Sequence, residues 1–375
     1  MVYVTPQKEI NKYFADPSLS QSYLKMLIGG LDSFLAKRTQ YKEAEEGIEK
    51  EYLTIGSAVD CILTGEEGRF DEIYFISSLT KRPSETEMLI INRVFQTCLA
   101  QYGVGDMPLL ENVKPFLQES IEFHEYQKNW KMETKIEKAL GWGTEYFENL
   151  KLAIGKTVLS QEQYEKVMSI VTCLRENPRT MKYFDRNSLS SQKNIDIYYQ
   201  LPIYFKYRGK ACKALLDILV VIKDDDGNVI QVQPADLKTT GQNTIYFLSS
   251  VKSLRYDIQG AWYKEAIQSI YPRAEILPFQ FIVESTVFVG KPLIYKLSED
   301  LLHIGKFGRQ AVTISDIDGL FNNNAAYQPI KVVREIKGFD ELLDEYLYYE
   351  QNGWEEDKKV TENDGLLTIG WEGIQ

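Results

Sequence analysis

Residues 210–240 read KACKALLDILVVIKDDDGNVIQVQPADLKTT, and this stretch decides how the chain folds. Two runs rich in Val, Ile and Leu, 211–222 and 229–237, flank the turn Asp224-Asp225-Asp226-Gly227-Asn228. Such runs on either side of an Asp/Gly/Asn turn predict a hairpin. A third run, 195–207, precedes them across Arg208-Gly209, so three sequential antiparallel strands are expected. Asp217 and Asp236 stand at similar distances from the turn, which would set their carboxylates opposite one another. Residues two apart on a strand point the same way, so Asp236 and Lys238 share a face.

These residue types suit phosphodiester hydrolysis, which needs a hard divalent cation to make hydroxide and to neutralise the transition state. Asp217 sits in the apolar run LLDIL, so either its strand face is open or its charge is paired. An uncompensated buried carboxylate would cost several kcal/mol. Two acids opposite each other repel, and Lys238 or a bound magnesium ion is the candidate for the positive charge between them. The acid-x-lysine triplet alone is uninformative, because it recurs at Glu133/Lys135, Glu335/Lys337, Glu356/Lys358 and Asp357/Lys359. What sets Asp236/Lys238 apart is a strand end, a paired acid upstream and a helix downstream. On that helix Tyr256, Gln259 and Tyr263 fall on one face. Gln259 is either an amide satisfied in the core or a group that holds a nucleic-acid backbone or a metal-bound water.

Outward from this centre, a helix is expected over 17–38, capped by Ser18 or Ser20, and another over 53–63, where Gly56 and Asp60 share a face. Residues 83–158 read as mainly helical, and Ser160 with Gln163 caps a helix over 161–175. After the three strands come a helix from about Asn243 to Ile270, strands at 279–289 and 292–297, a helix capped by Ser298, and an amphipathic helix near 339–350. The tail GLLTIGW reads as a docking segment or a loose terminus. Strands, then helix, then strands is an α+β order. The expected division is a mainly helical part at 1–190, a core at 191–315 and a C-terminal helix and tail at 316–375.

The net charge of −11 argues against a protein that coats DNA by bulk charge, though not against a local basic channel. Lys206, Arg208, Lys210 and Lys213, just before Asp217, are the candidates for one, or else a solvated strand edge. The four cysteines are scattered and only His124 and His303 are present, which disfavours zinc sites and histidine triads. No secretory leader or long apolar span is evident, and a cytoplasmic protein without membrane contact is expected.

The series GKACKALLDIL, PADLKTT and YDIQGAWY resembles the exonuclease VIII, or RecE-like, branch of the PD-(D/E)XK nucleases, a clan that includes RecB nuclease domains and lambda exonuclease. PSLSQSYLKML, GSAVDCILTGEEGRFDEIYFI and FQFIVESTVFVGKPLIYKL extend the resemblance over most of the chain. It implies a restriction-endonuclease-like core, with a mixed central sheet flanked by helices and an N-terminal helical region. It implies that Asp217, Asp236 and the Leu237 carbonyl ligate magnesium, with manganese as a substitute, and that Lys238 positions or activates water. Gln259 and Tyr263 match the Q-x-x-x-Y helix of RecB-type nucleases, and Thr239-Thr240 match the residues after the catalytic lysine; these threonines and Tyr256 are candidates for DNA contact. Relatives carry G-x-x-x-H in the first motif, where this chain has Gly56 and Asp60, so Asp60 stands where a histidine ligates metal. The cysteines do not match the iron–sulfur branch. The implied activity is magnesium-dependent degradation of one strand of linear duplex DNA, 5′ to 3′, from duplex ends. The implied partners are a RecT-like single-strand annealing protein and like subunits in a toroid, within a bacterial or phage-infected cytosol. Rival readings are an endonuclease on branched or single-stranded DNA, and a catalytically silent DNA-binding or assembly protein with the same fold.

Overall fold

A computed structural model of the chain describes residues 1–43, 51–77, 79, 83–187, 191–315 and 330–354, without the side chains of 38–43, 51–53, 310–315 and 330–335. The GLLTIGW tail lies outside the described residues. The strands in chain order are β1 (Val2–Val4), β2 (Tyr74–Ile76), β3 (Thr157–Leu159), β4 (Ile195–Tyr207), β5 (Lys210–Lys223), β6 (Val229–Thr240), β7 (Glu275–Ile276), β8 (Gln280–Ser285), β9 (Leu293–Lys296), β10 (Arg309–Ser315) and β11 (Ile330–Ile336).

Contacts divide the chain into two units, one of Met1–Tyr52, Leu63–Glu66 and Thr172–Gln375, the other of Leu53–Ile62 and Glu67–Val171. The boundaries expected near 190 and 315 differ from these. In the first unit a mixed sheet runs β1-β4-β5-β6-β8-β9, with β7 also on β6. β4, β5 and β6 form the antiparallel meander that the runs at 195–240 predict. β6 pairs β8 in parallel, and β8 pairs β9 antiparallel. β1 adds a parallel edge to β4, and β10 with β11 forms a separate hairpin; neither is evident from the sequence pattern. The architecture is mixed α+β.

One face of the sheet carries a large apolar cluster. Leu24, Leu27 and Phe34 pack there with Leu216, Leu219, Phe281, Ile258, Trp262, Phe339 and Leu342. Each such fully buried side chain contributes about 1.5–3 kcal/mol by its removal from water. The Tyr256–Ile270 helix is fastened to β5 by the Trp262 indole N–H, which donates to the Lys213 carbonyl at 3.0 Å. On its other side the Glu299–Phe307 helix approaches so closely that a Cβ on Gly305 would lie 2.2 Å from the Asp257 carbonyl oxygen. Gly305 is what permits this contact.

Two expected helices are broken. The 17–38 segment becomes a helix at Gln21–Lys25, a tight turn at Met26–Gly29 and a second helix at Leu31–Glu43, with Gly30 at φ +84° between them. The 243–270 segment becomes a turn at Thr244–Tyr246 and helices at Phe247–Ser253 and Tyr256–Ile270. There Arg255 takes φ +51°, uncommon for a residue with a side chain. Its guanidinium holds the bend, donating to Asp257 Oδ2 at 2.8 Å and to the Lys337 carbonyl at 2.8 Å.

The second unit is mainly helical, as 83–158 suggests. The helices Glu85–Tyr102, Lys114–Phe123 and Met132–Leu152 bury Ile90, Ile91, Val94, Leu117 and Phe147. The Gln161–Glu176 helix starts at the expected cap, where Ser160 and Gln163 each accept the other's backbone N–H. β2 and β3 form a short parallel pair. Among the described residues no helix is long and apolar enough to cross a membrane.

Candidate active site

The site begins where β4 and β5 change faces. In β4 the core side chains are Tyr198, then Leu201, Ile203 and Phe205; in β5 they are Cys212, Ala214 and Leu216, then Leu219 and Val221. A step of three in place of two turns the strand over. Gln200 makes the switch with φ +51°, and the β4–β5 ladder passes from Tyr199–Ile218 to Leu201–Leu216 without pairing Gln200 and Asp217. Asp217 is half-buried at this irregularity. The β5–β6 ladder also stops here, its last pair being Ile218–Ala235. One step beyond, the Asp217 carboxylate accepts the Leu237 backbone N–H at 3.1 Å. The sequence left Asp217 as either open or paired; it is part-exposed and hydrogen-bonded. The register puts Asp236 opposite it, as the hairpin spacing predicts.

Asp236 is 1% exposed. Its Oδ1 accepts from Gln259 Nε2 at 2.7 Å, so the polar residue on the Tyr256–Ile270 helix points at the site. Lys238 Nζ stands 2.5 Å from the buried Oδ2 and forms an ion pair with it. Burial works to lower the pKa of the Lys238 ammonium, but the carboxylates of Asp236 and Asp217 outweigh it and raise it above the ordinary lysine value. Lys238 is therefore a cation here. Its Nζ also lies 5.0 Å from the Tyr256 ring centroid and 6.0 Å from that of Phe281, at cation–π range.

Tyr263 is buried one helical turn beyond Gln259. Burial, followed by the Asp236 and Asp217 charges, pushes its hydroxyl pKa well up, so it acts as a neutral donor. Tyr256 is half-buried against Phe247 and Phe281, with ring centroids at 5.8 and 5.1 Å. A residue that sequence reasoning missed completes the group. Lys25, on the Gln21–Lys25 helix, places Nζ 5.9 Å from the Tyr256 centroid and donates to the Leu254 carbonyl at 3.1 Å. Burial, then the Lys238 and Arg255 charges, lower its pKa to about 8 against the opposing pull of Asp257 and Asp236. The only sequence signal was its place in PSLSQSYLKML.

Among the described residues no three or more His, Cys, Asp or Glu side chains gather into a metal cage. Magnesium does not require one, since it commonly takes one or two carboxylates and keeps several waters. Asp217 and Asp236 fit that pattern, and the buried Asp236 Oδ2, already facing the Lys238 ammonium, is an acceptor suited to a cation.

The expected basic channel is not formed as such. Arg208 is ion-paired with Asp344 at 2.6 Å and Lys210 with Glu350 at 2.6 Å, both on the acidic Phe339–Asn352 helix. Lys213 is buried and donates to the Tyr13 and Asp16 carbonyls, each at 2.6 Å. Lys206, exposed on β4, has no ion pair among the described residues. Thr239 and Thr240 end β6, and the Thr240 hydroxyl accepts the Gln242 N–H at 3.2 Å, shaping the turn that follows. Asp60, half-buried on the Glu51–Thr64 helix, belongs to the second unit, and its expected metal role rests on the resemblance alone.

No family model and no curated protein matches the chain. One solved structure that it does match is from Eubacterium rectale, a protein assigned by conjecture as an exonuclease. It is 16% identical, over 60% of this chain and 80% of its own, with a TM-score of 0.28. At that TM-score the likeness carries no argument about fold or activity.

Proposed function

We propose that this chain is a metal-dependent deoxyribonuclease with Asp217, Asp236 and Lys238 at its centre. The observation that carries the reading is the meeting of two carboxylates, one ammonium and one carboxamide at the end of the β5–β6 ladder, with Asp236 Oδ2 buried against the Lys238 ammonium. Ionisable groups perturbed by burial together with a specific charge partner cluster at functional sites.

Asp217 and Asp236, with the Leu237 carbonyl, would hold magnesium or manganese. Such an ion, when bound, supplies hydroxide at neutral pH and neutralises charge on the reacting phosphate. Lys238, kept protonated, is suited to orient the attacking water and to donate from Nζ to a phosphate oxygen, and unsuited to be the base. Gln259 fixes the Asp236 rotamer through Oδ1 and turns Oδ2 toward the Lys238 ammonium, whose place beside that oxygen a bound ion would share or take. Tyr263, a buried hydroxyl donor beside Gln259, would steady the amide.

In its finer form, drawn from the sequence resemblance, the reading is an exonuclease that degrades one strand of linear duplex 5′ to 3′, working as a ring of like subunits and feeding a single-strand annealing protein. The test is end-labelled linear duplex beside closed circular duplex, with magnesium or with a chelator. Magnesium-dependent release of label from the linear substrate alone supports the exonuclease. Cutting of the circle replaces it with an endonuclease, and no magnesium-dependent cutting of either sinks the proposal.

A further inference from the structure

Beyond the ends of β6 and β8 lies a groove of about 660 Å³ whose lining includes Arg179, Asn243, Ile245, Gly290 and Lys291. Its loops are tied to Thr240, two strand residues from Lys238. The Thr286 N–H donates to the Thr240 carbonyl at 2.8 Å, and the Thr244 hydroxyl donates to the Lys291 carbonyl at 3.1 Å. Two strand residues span about 7 Å.

Three features of the groove and of the residues flanking it point to an occupant. First, Tyr246 beside Ile245 is 61% exposed and Phe288, two residues before Gly290, is 58% exposed. Second, the Phe288 loop is built to hold that exposure. The Ser285 hydroxyl accepts the Val287 and Phe288 N–H groups at 3.1 and 2.9 Å, and the fully buried Glu284 accepts from Ser285 N at 2.7 Å and Gly290 N at 3.3 Å. A loop fixed by two buried side chains presents its aromatic to solvent by construction. Third, Arg179 and Lys291 are both exposed and have no ion pair among the described residues, the Arg179 guanidinium donating to the Pro292 carbonyl at 3.3 Å. Exposed cations left uncompensated in a chain of net charge −11 favour an anionic occupant.

We propose that this groove binds single-stranded DNA, with Phe288 and Tyr246 stacking on bases and Arg179 and Lys291 contacting phosphates. Aromatic faces plus a cationic track is the chemistry by which single strands are held without sequence preference. The inference rests on the nuclease reading for its choice of nucleic acid, and its test is independent of catalysis. A fluorescent oligonucleotide of about 16 thymidines, at the upper end of single-strand site sizes, is titrated by anisotropy in chelator. Phe288→Ala and Tyr246→Ala are expected to weaken binding about tenfold each. Lys291→Ala and Arg179→Ala are expected to reduce the dependence of log K on log salt by about one unit each. Binding is read in chelator, where no cleavage is required, which separates failure of this proposal from failure of the nuclease reading. Wild-type affinity in all four groove variants would overturn it. So would a change of oligomeric state in the Phe288 and Tyr246 variants with affinity for the oligonucleotide unaltered, since the patch would then contact a second copy of the chain.

Discussion

The carboxylate of Asp217 accepts the backbone N–H of Leu237 at 3.1 Å, one residue past the last pair of the β5–β6 ladder. A side chain thus takes over a bond that the strand backbone would otherwise make. The two strands can then separate around their acidic residues without leaving that N–H unsatisfied, which would cost about 1–3 kcal/mol. The left-handed Gln200 opposite Asp217 belongs to the same device.

Gln259 is expected to govern turnover by positioning Asp236. Gln259→Ala removes the 2.7 Å bond to Oδ1 and frees the carboxylate to rotate. Cleavage should fall by about 10- to 100-fold, the usual cost of losing a group that orients a metal ligand. The loss should appear in kcat, with KM for DNA nearly constant. A KM effect alone would assign Gln259 to DNA contact instead.

Lys25 should be unusually reactive. With its pKa lowered to about 8, half its population is neutral at pH 8, whereas a lysine at the ordinary value near 10.4 is almost wholly protonated. Its neutral fraction is thus on the order of a hundredfold larger. Peptide mapping after brief treatment with an amine-reactive reagent should find Lys25 modified ahead of exposed lysines, with a rate that climbs as pH rises through 8. The same sign governs stability: a lysine whose pKa is depressed by folding stabilises fully above its unfolded value and loses that contribution as pH falls through 8. Labelling no faster than at Lys252 would contradict the placement.

The crossing of the Tyr256–Ile270 and Glu299–Phe307 helices depends on Gly305. A methyl there would sit 2.2 Å from the Asp257 carbonyl oxygen, and backbone cannot yield as a side-chain tip can. Gly305→Ala should lose about 1–3 kcal/mol or more in urea unfolding. An unchanged midpoint would mean that the helices are not in contact as described.

How much was legible beforehand follows the range of the interactions. The meander and the opposition of Asp217 to Asp236 were, because alternation and turn chemistry are local, and so was the face shared by Tyr256, Gln259 and Tyr263. The breaks at Gly30 and Arg255 were not. A continuous helical pattern crosses both, and the Arg255 bend depends on Lys337, far along the chain. Arg208 and Lys210 looked like a basic channel because their acidic partners, Asp344 and Glu350, lie more than a hundred residues downstream. Lys25 entered the site unannounced for the same reason.

The central claim is that Asp236 and its neighbours cleave DNA with a divalent ion, and single-turnover cleavage of linear duplex in magnesium by Asp236→Asn tests it most directly. The substitution keeps the side-chain shape and the Gln259 contact can persist, so the thermal melt serves as the control for folding. The expected result is a normally folded variant whose rate falls roughly a thousandfold, on the order of 4 kcal/mol of barrier. A folded Asp236→Asn protein that cuts at the wild-type rate would contradict it.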